Sequence, residues 1–306
     1  MKKTAIAPAN IAFIKFWGKK DAALRLPHNS SISMNLSGCM TTTTVEFSPD
    51  YKQDAVTKGF DTKRVIEHID RLRELASVKY KEHVETKNSF PSSAGIASSA
   101  SGFAALTVAA SAALGLKLSE KELTACARLG SGSSCRSVPD GFVKWKETFA
   151  YSLYPPDYWD LRDILVIIDT KAKKVPTSEG HEHAKTSPYF EKRLDALPAR
   201  VARCERALKN KDIRLLGEVI EEDCLDMHRV MQTQNPPLYY WNDETMKIMH
   251  TVQNWRTQGI LAYYTIDAGP NVHIICEADN VDKVVKFVGR EYQVIINKPS
   301  CGARVI

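Results

Sequence analysis

Two hydrophobic periods alternate along the chain. Residues 61–78 place Val65, Ile66, Ile69, Leu72 and Leu75 at helical spacing behind a capping Asp61 or Thr62, which predicts an amphipathic helix. Residues 4–8 and 41–47 are rich in β-branched side chains and predict strands, as does the shorter stretch 83–88. Residues 94–115 predict a long helix of small residues closed by Gly115. Ser119 caps the next one, with Glu122 three residues on in capping-box register. Strands are expected at 142–153 and 163–169, and helices at 190–209 and 211–231 with a break near Asn210. A helix at 242–257 precedes strands 260–267 and 271–277, joined by the turn signal Asp267-Ala268-Gly269-Pro270. A helix at 280–290 and a strand at 292–297 close the pattern, while 171–190 is polar and irregular.

This order implies an α+β fold with antiparallel hairpins and helices on one face. At 306 residues the chain is long enough for roughly two domains of about 150 residues. The boundary is expected near 155–175, where Pro155, Pro156 and the group Lys171, Lys173 and Lys174 fall, giving units 1–165 and 166–306 with a ligand cleft between them.

Hydrophobic residues at 43% and charged residues at 25% exclude wholesale disorder. The net charge of +6 is scattered, and Arg200, Arg203 and Arg206 recur as a solvated helix face would. It suits a small anionic ligand. No basic stripe with interleaved aromatics points to nucleic acid. Seven cysteines without a CxxC pair read as reduced thiols, neither a disulfide framework nor a zinc site, and imply a cytoplasmic protein. Pro8 and Asn10 interrupt the apolar run that would make a secretory signal. Ile96–Leu116 carries four serines and reads as a buried helix, so no membrane span is expected.

Four segments carry candidate chemistry. Pro91-Ser92-Ser93-Ala94-Gly95-Ile96-Ala97-Ser98-Ser99-Ala100 runs a turn into a helix start. It is either a serine-rich cap or a phosphate site, where unpaired N–H groups meet a nucleotide and Ser98 and Ser99 offer hydroxyls to phosphate or magnesium. Gly130-Ser131-Gly132-Ser133-Ser134-Cys135-Arg136-Ser137 presents a planar guanidinium behind small residues, suited to a carboxylate or simply solvated. Lys15 sits among apolar neighbours, where a lysine needs a partner. If 10–19 is a strand, Lys15 shares a face with Lys19. Asp267 ends an apolar strand, where it either points into a cleft or closes an Asx turn.

Together these segments resemble the mevalonate diphosphate decarboxylases of the GHMP kinase superfamily. The resemblance rests on Ala7-Pro8-Ala9-Asn10-Ile11-Ala12 with Lys15-Phe16-Trp17-Gly18-Lys19, and on Pro27-His28-Asn29-Ser30-Ser31-Ile32-Ser33. It continues through Asn88-Ser89-Phe90-Pro91 into Gly95–Ala100, Gly130–Ser137 and Asp267–Asn271, in order along nearly the whole chain. It implies an N-terminal lobe like ribosomal protein S5 domain 2, a ferredoxin-like C-terminal lobe, ATP and Mg²⁺ as cofactors, and a homodimer. It implies that Asp267 orients or deprotonates the C3 hydroxyl of a 5-phosphorylated mevalonate, that Arg136 clamps its carboxylate and that Asn10 holds Arg136 and the substrate in place. Lys15 would neutralise charge at the transferring phosphoryl. Gly95, Ala97, Ser98 and Ser99 would hold the nucleotide, with Ser99 at the metal. Lys19, Ser131, Ser133 and Thr177 would line the substrate.

Three departures concern the distal phosphate of the substrate. Phe16 stands where the family usually has tyrosine. Segment 176–181 reads Pro-Thr-Ser-Glu-Gly-His, without an arginine and with His181 in place of methionine. The chain is also short for the family. Mevalonate 5-phosphate and 5-diphosphate therefore stay level as substrates, as in the related mevalonate 5-phosphate decarboxylases. A kinase of mevalonate 3-kinase type, stopping before decarboxylation, is the alternative activity.

Overall fold

The computed structural model describes residues 1–57, 61–91, 98–169 and 180–306. Gly95, Ala97, Thr177 and the 171–174 lysine group lie outside them. The chain is α+β and forms two principal sheets. The larger has seven strands: β1 (Lys2–Ile14), β4 (Ser31–Ser48), β5 (Ala55–Val56), β6 (Lys81–Asn88), β7 (Phe142–Lys146), β8 (Phe149–Tyr154) and β13 (Arg304–Val305). All its pairings are antiparallel except β5 with β6. The smaller has the order β10-β11-β9-β12, all antiparallel, from β9 (Leu161–Ile167), β10 (Ala262–Thr265), β11 (Val272–Glu277) and β12 (Gln293–Asn297). A two-stranded ribbon, β2 (Lys19–Asp21) with β3 (Leu26–Pro27), stands apart.

Several elements differ from the sequence pattern. β1 and β4 run far beyond 4–8 and 41–47, because both are buried over long stretches and so show no clean alternation. The stretch 142–153 is a hairpin, turned at Glu147 with φ 54°. Residue 165, where a division was expected, lies inside β9, whose ladder partners are all in the smaller sheet. β1 ends at Ile14, and Gly18 turns the chain with φ 87° before β2. Strand alternation therefore does not carry from Lys15 to Lys19.

Helices α1 (Thr62–Ala76), α2 (Ser98–Ala113) and α3 (Glu120–Gly130) cover the larger sheet. α2 is buried nearly all round. Its alanines let it lie close on β1 and β4, as a helix without a polar face must. No helix among the described residues is long and apolar enough to cross a membrane. α4 (Phe190–Asn210) ends at the left-handed Lys211, and Asp212 caps α5 (Ile213–Thr233). α6 (Asp243–Thr257) and α7 (Val281–Val288) pack on the smaller sheet. One core joins the two sheets: Ile11, Phe13, Met34 and Leu36 of the larger meet Leu161, Leu165 and Ile275 of the smaller, with Leu197 and Ile220 of α4 and α5. The ends of β1 and β10 are thereby held near one another, which positions the site.

Candidate active site

Arg136 sits in a 3₁₀ segment, Gly132–Ser137, that follows α3 directly. It is 4% exposed, so its charge is almost wholly removed from water. Its fork is fixed by neutral acceptors: Nη1 donates to Ser31 Oγ at 2.7 Å, Nε to Ser33 Oγ at 3.1 Å and Nη2 to Asn10 Oδ1 at 3.2 Å. Asn10 is oriented in turn, because its Nδ2 donates to Ser137 Oγ at 2.8 Å and to the Ser133 carbonyl at 3.3 Å. No carboxylate among the described residues lies within ion-pair distance of Arg136. Burial pushes its guanidinium below the usual arginine range, opposed in part by the charge of Asp267.

Asp267 lies just past β10 and faces Lys15, just past β1. Lys15 Nζ reaches Asp267 Oδ1 at 2.6 Å, with side-chain exposures of 2% and 27%. A lysine so buried is tolerated because this contact offsets its desolvation. Its backbone is clamped as well. The Lys15 N–H donates to Asp223 Oδ2 at 2.7 Å, and its carbonyl accepts from Asn29 Nδ2 at 3.1 Å and Arg193 Nη2 at 3.3 Å. On the other side Ile266 is held by Cys224 of α5, whose Sγ accepts from its N–H at 3.3 Å. His228 of α5 accepts from Trp241 Nε1 at 3.2 Å, and burial pushes its imidazole down to about 3, so it is neutral at pH 7. Asp267 thus follows a residue pinned by α5, and Lys15 is pinned by the same helix.

The start of α2 completes the corner. Its first turn holds no acid, and Ser99 Oγ lies 3.3 Å from Ser131 Oγ, so the helix N-terminus meets the end of α3. Ser98 begins α2, and its carbonyl accepts from Ser101 Oγ at 3.3 Å. Lys19 lies 3.9 Å from the exposed Glu182. Burial lowers its proton affinity first, and the charges of Arg25 and Arg64 lower it further. Phe16 and Trp17 both stack on His181, with ring centroids at 4.5 and 4.4 Å. His181 Nδ1 accepts from the Gly18 N–H at 2.9 Å.

The fold therefore gathers Asn10, Lys15, Arg136 and Asp267, and sets Ser99 against Ser131. Gly95, Ala97 and Thr177 fall outside the described residues. Sequence reasoning gave no role to Asp223 or Arg193, nor to Asn29, Ser31 and Ser33, although the resemblance ran through 27–33. Ser31 and Ser33 carried a signal: two hydroxyls at i and i+2, flanking Ile32 and preceding Met34, put polar groups on one face of a buried strand.

Comparison with known proteins bears on what this arrangement is. Residues 7–152 match the family model described as the diphosphomevalonate decarboxylase-like N-terminal domain, and 164–301 match that of the mevalonate 5-diphosphate decarboxylase C-terminal domain. A diphosphomevalonate decarboxylase of Candida albicans is 35% identical over 94% of this chain and 87% of that protein. That of Saccharomyces cerevisiae is 32% identical over 92% and 79%. The mevalonate diphosphate decarboxylase structure from Staphylococcus aureus superposes with a TM-score of 0.94 at 35% identity, covering 100% of this chain and 98% of that one. A structure described as MDDEF in complex with MVAPP, AMPPCP and magnesium gives the same TM-score and identity, covering 100% and 99%. The two-lobed GHMP kinase-type fold is that of these enzymes, and the chain belongs to the diphosphomevalonate decarboxylase family.

Proposed function

We propose that this chain catalyses the ATP-dependent decarboxylation of mevalonate 5-diphosphate to isopentenyl diphosphate. The observation that carries the reading is the Lys15–Asp267 pair at 2.6 Å beside a buried guanidinium that has only neutral acceptors. A substrate carboxylate supplies the missing negative charge at Arg136. The names of the relatives, and the MVAPP, AMPPCP and magnesium of the structural neighbour, support the same reading.

In this reading the C3 hydroxyl of the substrate lies between Asp267 and Lys15. Asp267 accepts its hydrogen bond and orients or deprotonates it for attack on the γ-phosphoryl, while Lys15 balances the charge that gathers on the transferring oxygens. Phosphate is then the leaving group in place of hydroxide. As the C3–O bond breaks, the C1–C2 electrons form the C2–C3 alkene and carbon dioxide departs. Arg136, steered by Asn10, Ser31 and Ser33, holds the carboxylate so that the breaking bond stays aligned.

The start of α2 fits the nucleotide phosphates, with Ser98 and Ser99 as hydroxyl donors and Gly95 and Ala97 as proposed contacts; Lys19, Ser131, Ser133 and Thr177 are proposed for the substrate. No group of three or more His, Cys, Asp or Glu able to hold a metal occurs among the described residues. Magnesium is therefore expected to enter on the phosphates, with Ser99 Oγ as the protein oxygen, and to neutralise phosphate charge. A homodimer is proposed from the family resemblance, and a cytoplasmic location from the seven cysteines without a CxxC pair.

A coupled ADP assay beside carbon dioxide release, run on mevalonate, its 5-phosphate and its 5-diphosphate, tests the reading. ADP and carbon dioxide in equal amounts with the diphosphate support it. ADP alone identifies a 3-kinase. Phe16 and the arginine-free segment 176–181 favour a second reading, the 5-phosphate as substrate, which the same assay decides.

A further inference from the structure

After β12 the chain crosses from the smaller sheet to the larger, and it does so along the loop that follows Arg136. The crossing starts at the buried Asn297, whose Nδ2 donates to Asp163 Oδ2 at 2.9 Å and whose Oδ1 accepts from the Gly38 N–H at 2.9 Å. The Ser37 N–H then donates to the Lys298 carbonyl at 3.1 Å, and the Lys298 N–H to Ser37 Oγ at 3.0 Å. Pro299 bridges to Leu36 of β4. Farther on, Arg304 and Val305 pair with Ile6 and Ala5 of β1, and the Ile306 N–H donates to the Thr4 carbonyl at 2.9 Å. Residues 298–306 are thus fastened to β4 at one end and to β1 at the other.

Between these anchors the segment grips residues 137–141. The Gly141 N–H donates to the Ser300 carbonyl at 2.9 Å, the Gly302 N–H to Asp140 Oδ1 at 2.6 Å, and the Ala303 N–H to the carbonyls of Ser137 and Val138 at 2.9 and 3.1 Å. The approach is close enough to require glycine. A Cβ on Gly302 would lie 2.1 Å from the Val138 carbonyl oxygen and 2.5 Å from that of Pro139. From β4, Asn35 Nδ2 holds the same loop by donating to the Pro139 carbonyl at 2.7 Å. Ser31, Ser33 and Asn35 alternate along that strand, so one face of it holds both Arg136 and the loop behind it. Ser137 is the joint. Its carbonyl takes the Ala303 N–H, its hydroxyl takes Asn10 Nδ2 at 2.8 Å, and Asn10 Oδ1 takes Arg136 Nη2 at 3.2 Å. A shift of Ser137 therefore moves Asn10 and the backbone next to Arg136 together.

We propose that residues 298–306 form a strap that positions Arg136 for the substrate carboxylate, with Gly302 and Asp140 as its positioning residues. Neither touches substrate. Both act through Ser137 on a guanidinium whose own bonds are to neutral acceptors, which fix its direction without supplying a counter-charge. A clamp of that kind loses its effect when displaced by about 1 Å. The strap rests on the decarboxylase reading and adds to it the part of the chain that aims the clamp.

The test uses the full-length enzyme and the variants Gly302→Ala, Asp140→Ala and Asp140→Asn. Gly302→Ala forces the strap off the loop and is expected to raise the KM for the 5-phosphorylated mevalonate roughly thirtyfold, with the KM for ATP unchanged. Asp140 is exposed, so its variants are expected to fold with an unchanged thermal transition. Asp140→Ala removes a charged acceptor and is expected to raise the same KM about tenfold. Asp140→Asn keeps an acceptor oxygen and is expected to stay within about twofold of wild type. A fall in kcat with both KM values unchanged, an equal rise in both, or a wild-type KM in Asp140→Ala would overturn the strap. Hydrogen exchange over 132–141 reads it without turnover, and Asp140→Ala is expected to exchange about tenfold faster there than wild type. Equal exchange also overturns the proposal. Should wild type convert no phosphorylated mevalonate while that exchange difference persists, it is the decarboxylase reading that fails.

Discussion

Two sets of buried arginines lie in this protein at equal depth and in opposite electrostatic states. Arg193 and Arg200, 1% and 5% exposed, are surrounded by carboxylates. Arg193 meets Asp223 and Asp226 at 3.1 Å, and Arg200 meets Asp223 at 3.1 Å, Asp226 at 2.9 Å and Glu222 at 3.0 Å. Burial opposes the charge on Arg200, but those carboxylates outweigh it and hold the group above the usual arginine range. Arg136, 4% exposed, has serine hydroxyls and an amide instead, and burial leaves it below that range. Depth alone therefore separates nothing. A buried cation with its anions built in is scaffold, and one given only neutral acceptors is arranged for an anion that arrives. The two regions meet at Lys15, whose backbone is held by Asp223 and Arg193 and whose side chain pairs with Asp267.

That contrast is tested most strongly at the carboxylate which faces the functional side. Asp267→Asn keeps the shape and removes the charge, and kcat is expected to fall about 10³-fold, within the range for losing a general base. ATP binding is expected to persist. Simultaneous ADP and carbon dioxide release measures the first, and nucleotide titration the second. An unchanged kcat would remove Asp267 from the chemistry.

On the scaffold side, Asp223→Asn leaves two buried guanidinium groups short of a partner. Its expected effect is a loss of about 3–5 kcal/mol in denaturant unfolding, as for a broken buried ion pair. The Lys15 N–H and the two guanidinium groups then compete for the one acceptor oxygen an amide keeps, so residual activity should also drop. A shift below about 1 kcal/mol would mean that the network is not what holds Lys15. Arg136→Gln should behave in the opposite way. It removes an unneutralised buried charge, so folding stability should be equal or higher, while kcat/KM falls roughly 100-fold for want of a carboxylate clamp. Loss of stability without loss of activity would invert the assignment of the two regions.

The residues proposed for the chemistry stood out in the sequence because each breaks a local rule: Lys15 in an apolar run, Arg136 behind small residues, Asp267 at the end of a strand. The resemblance then supplied the expectation that they converge. The scaffold was not legible. Asp223 meets Lys15 across 208 residues, and along α5 it ends the acidic run Glu221-Glu222-Asp223, so its place among Val219, Ile220, Cys224 and Met227 reads as one more solvated acid beside an apolar face. The β7–β8 turn was hidden for a local reason. Lys146, Glu147 and Thr148 include no Gly, Pro or Asn, and Glu147 takes the left-handed conformation without announcing it. β13 is two residues long and is a strand only because β1 offers an edge at Ala5 and Ile6.

The smallest expected effect lies at Phe16, beside the segment that carries Arg136. Its ring meets Trp145 edge-on at 4.8 Å and His181 at 4.5 Å, and a side chain at Gly132 would come within 3.0 Å of it. It therefore lies directly against the 3₁₀ segment that carries Arg136. A hydroxyl added there is a neutral donor, unlike the guanidinium of Arg136, and its net worth is of the order of 1 kcal/mol. Phe16→Tyr is accordingly expected to raise the kcat/KM ratio of diphosphate over monophosphate by about fivefold, with kcat on the diphosphate little changed, since uniform binding does not accelerate the chemical step. Steady-state assays on both substrates measure the ratio. A ratio that stays level or falls would place the distal phosphoryl away from the Phe16 side of the segment.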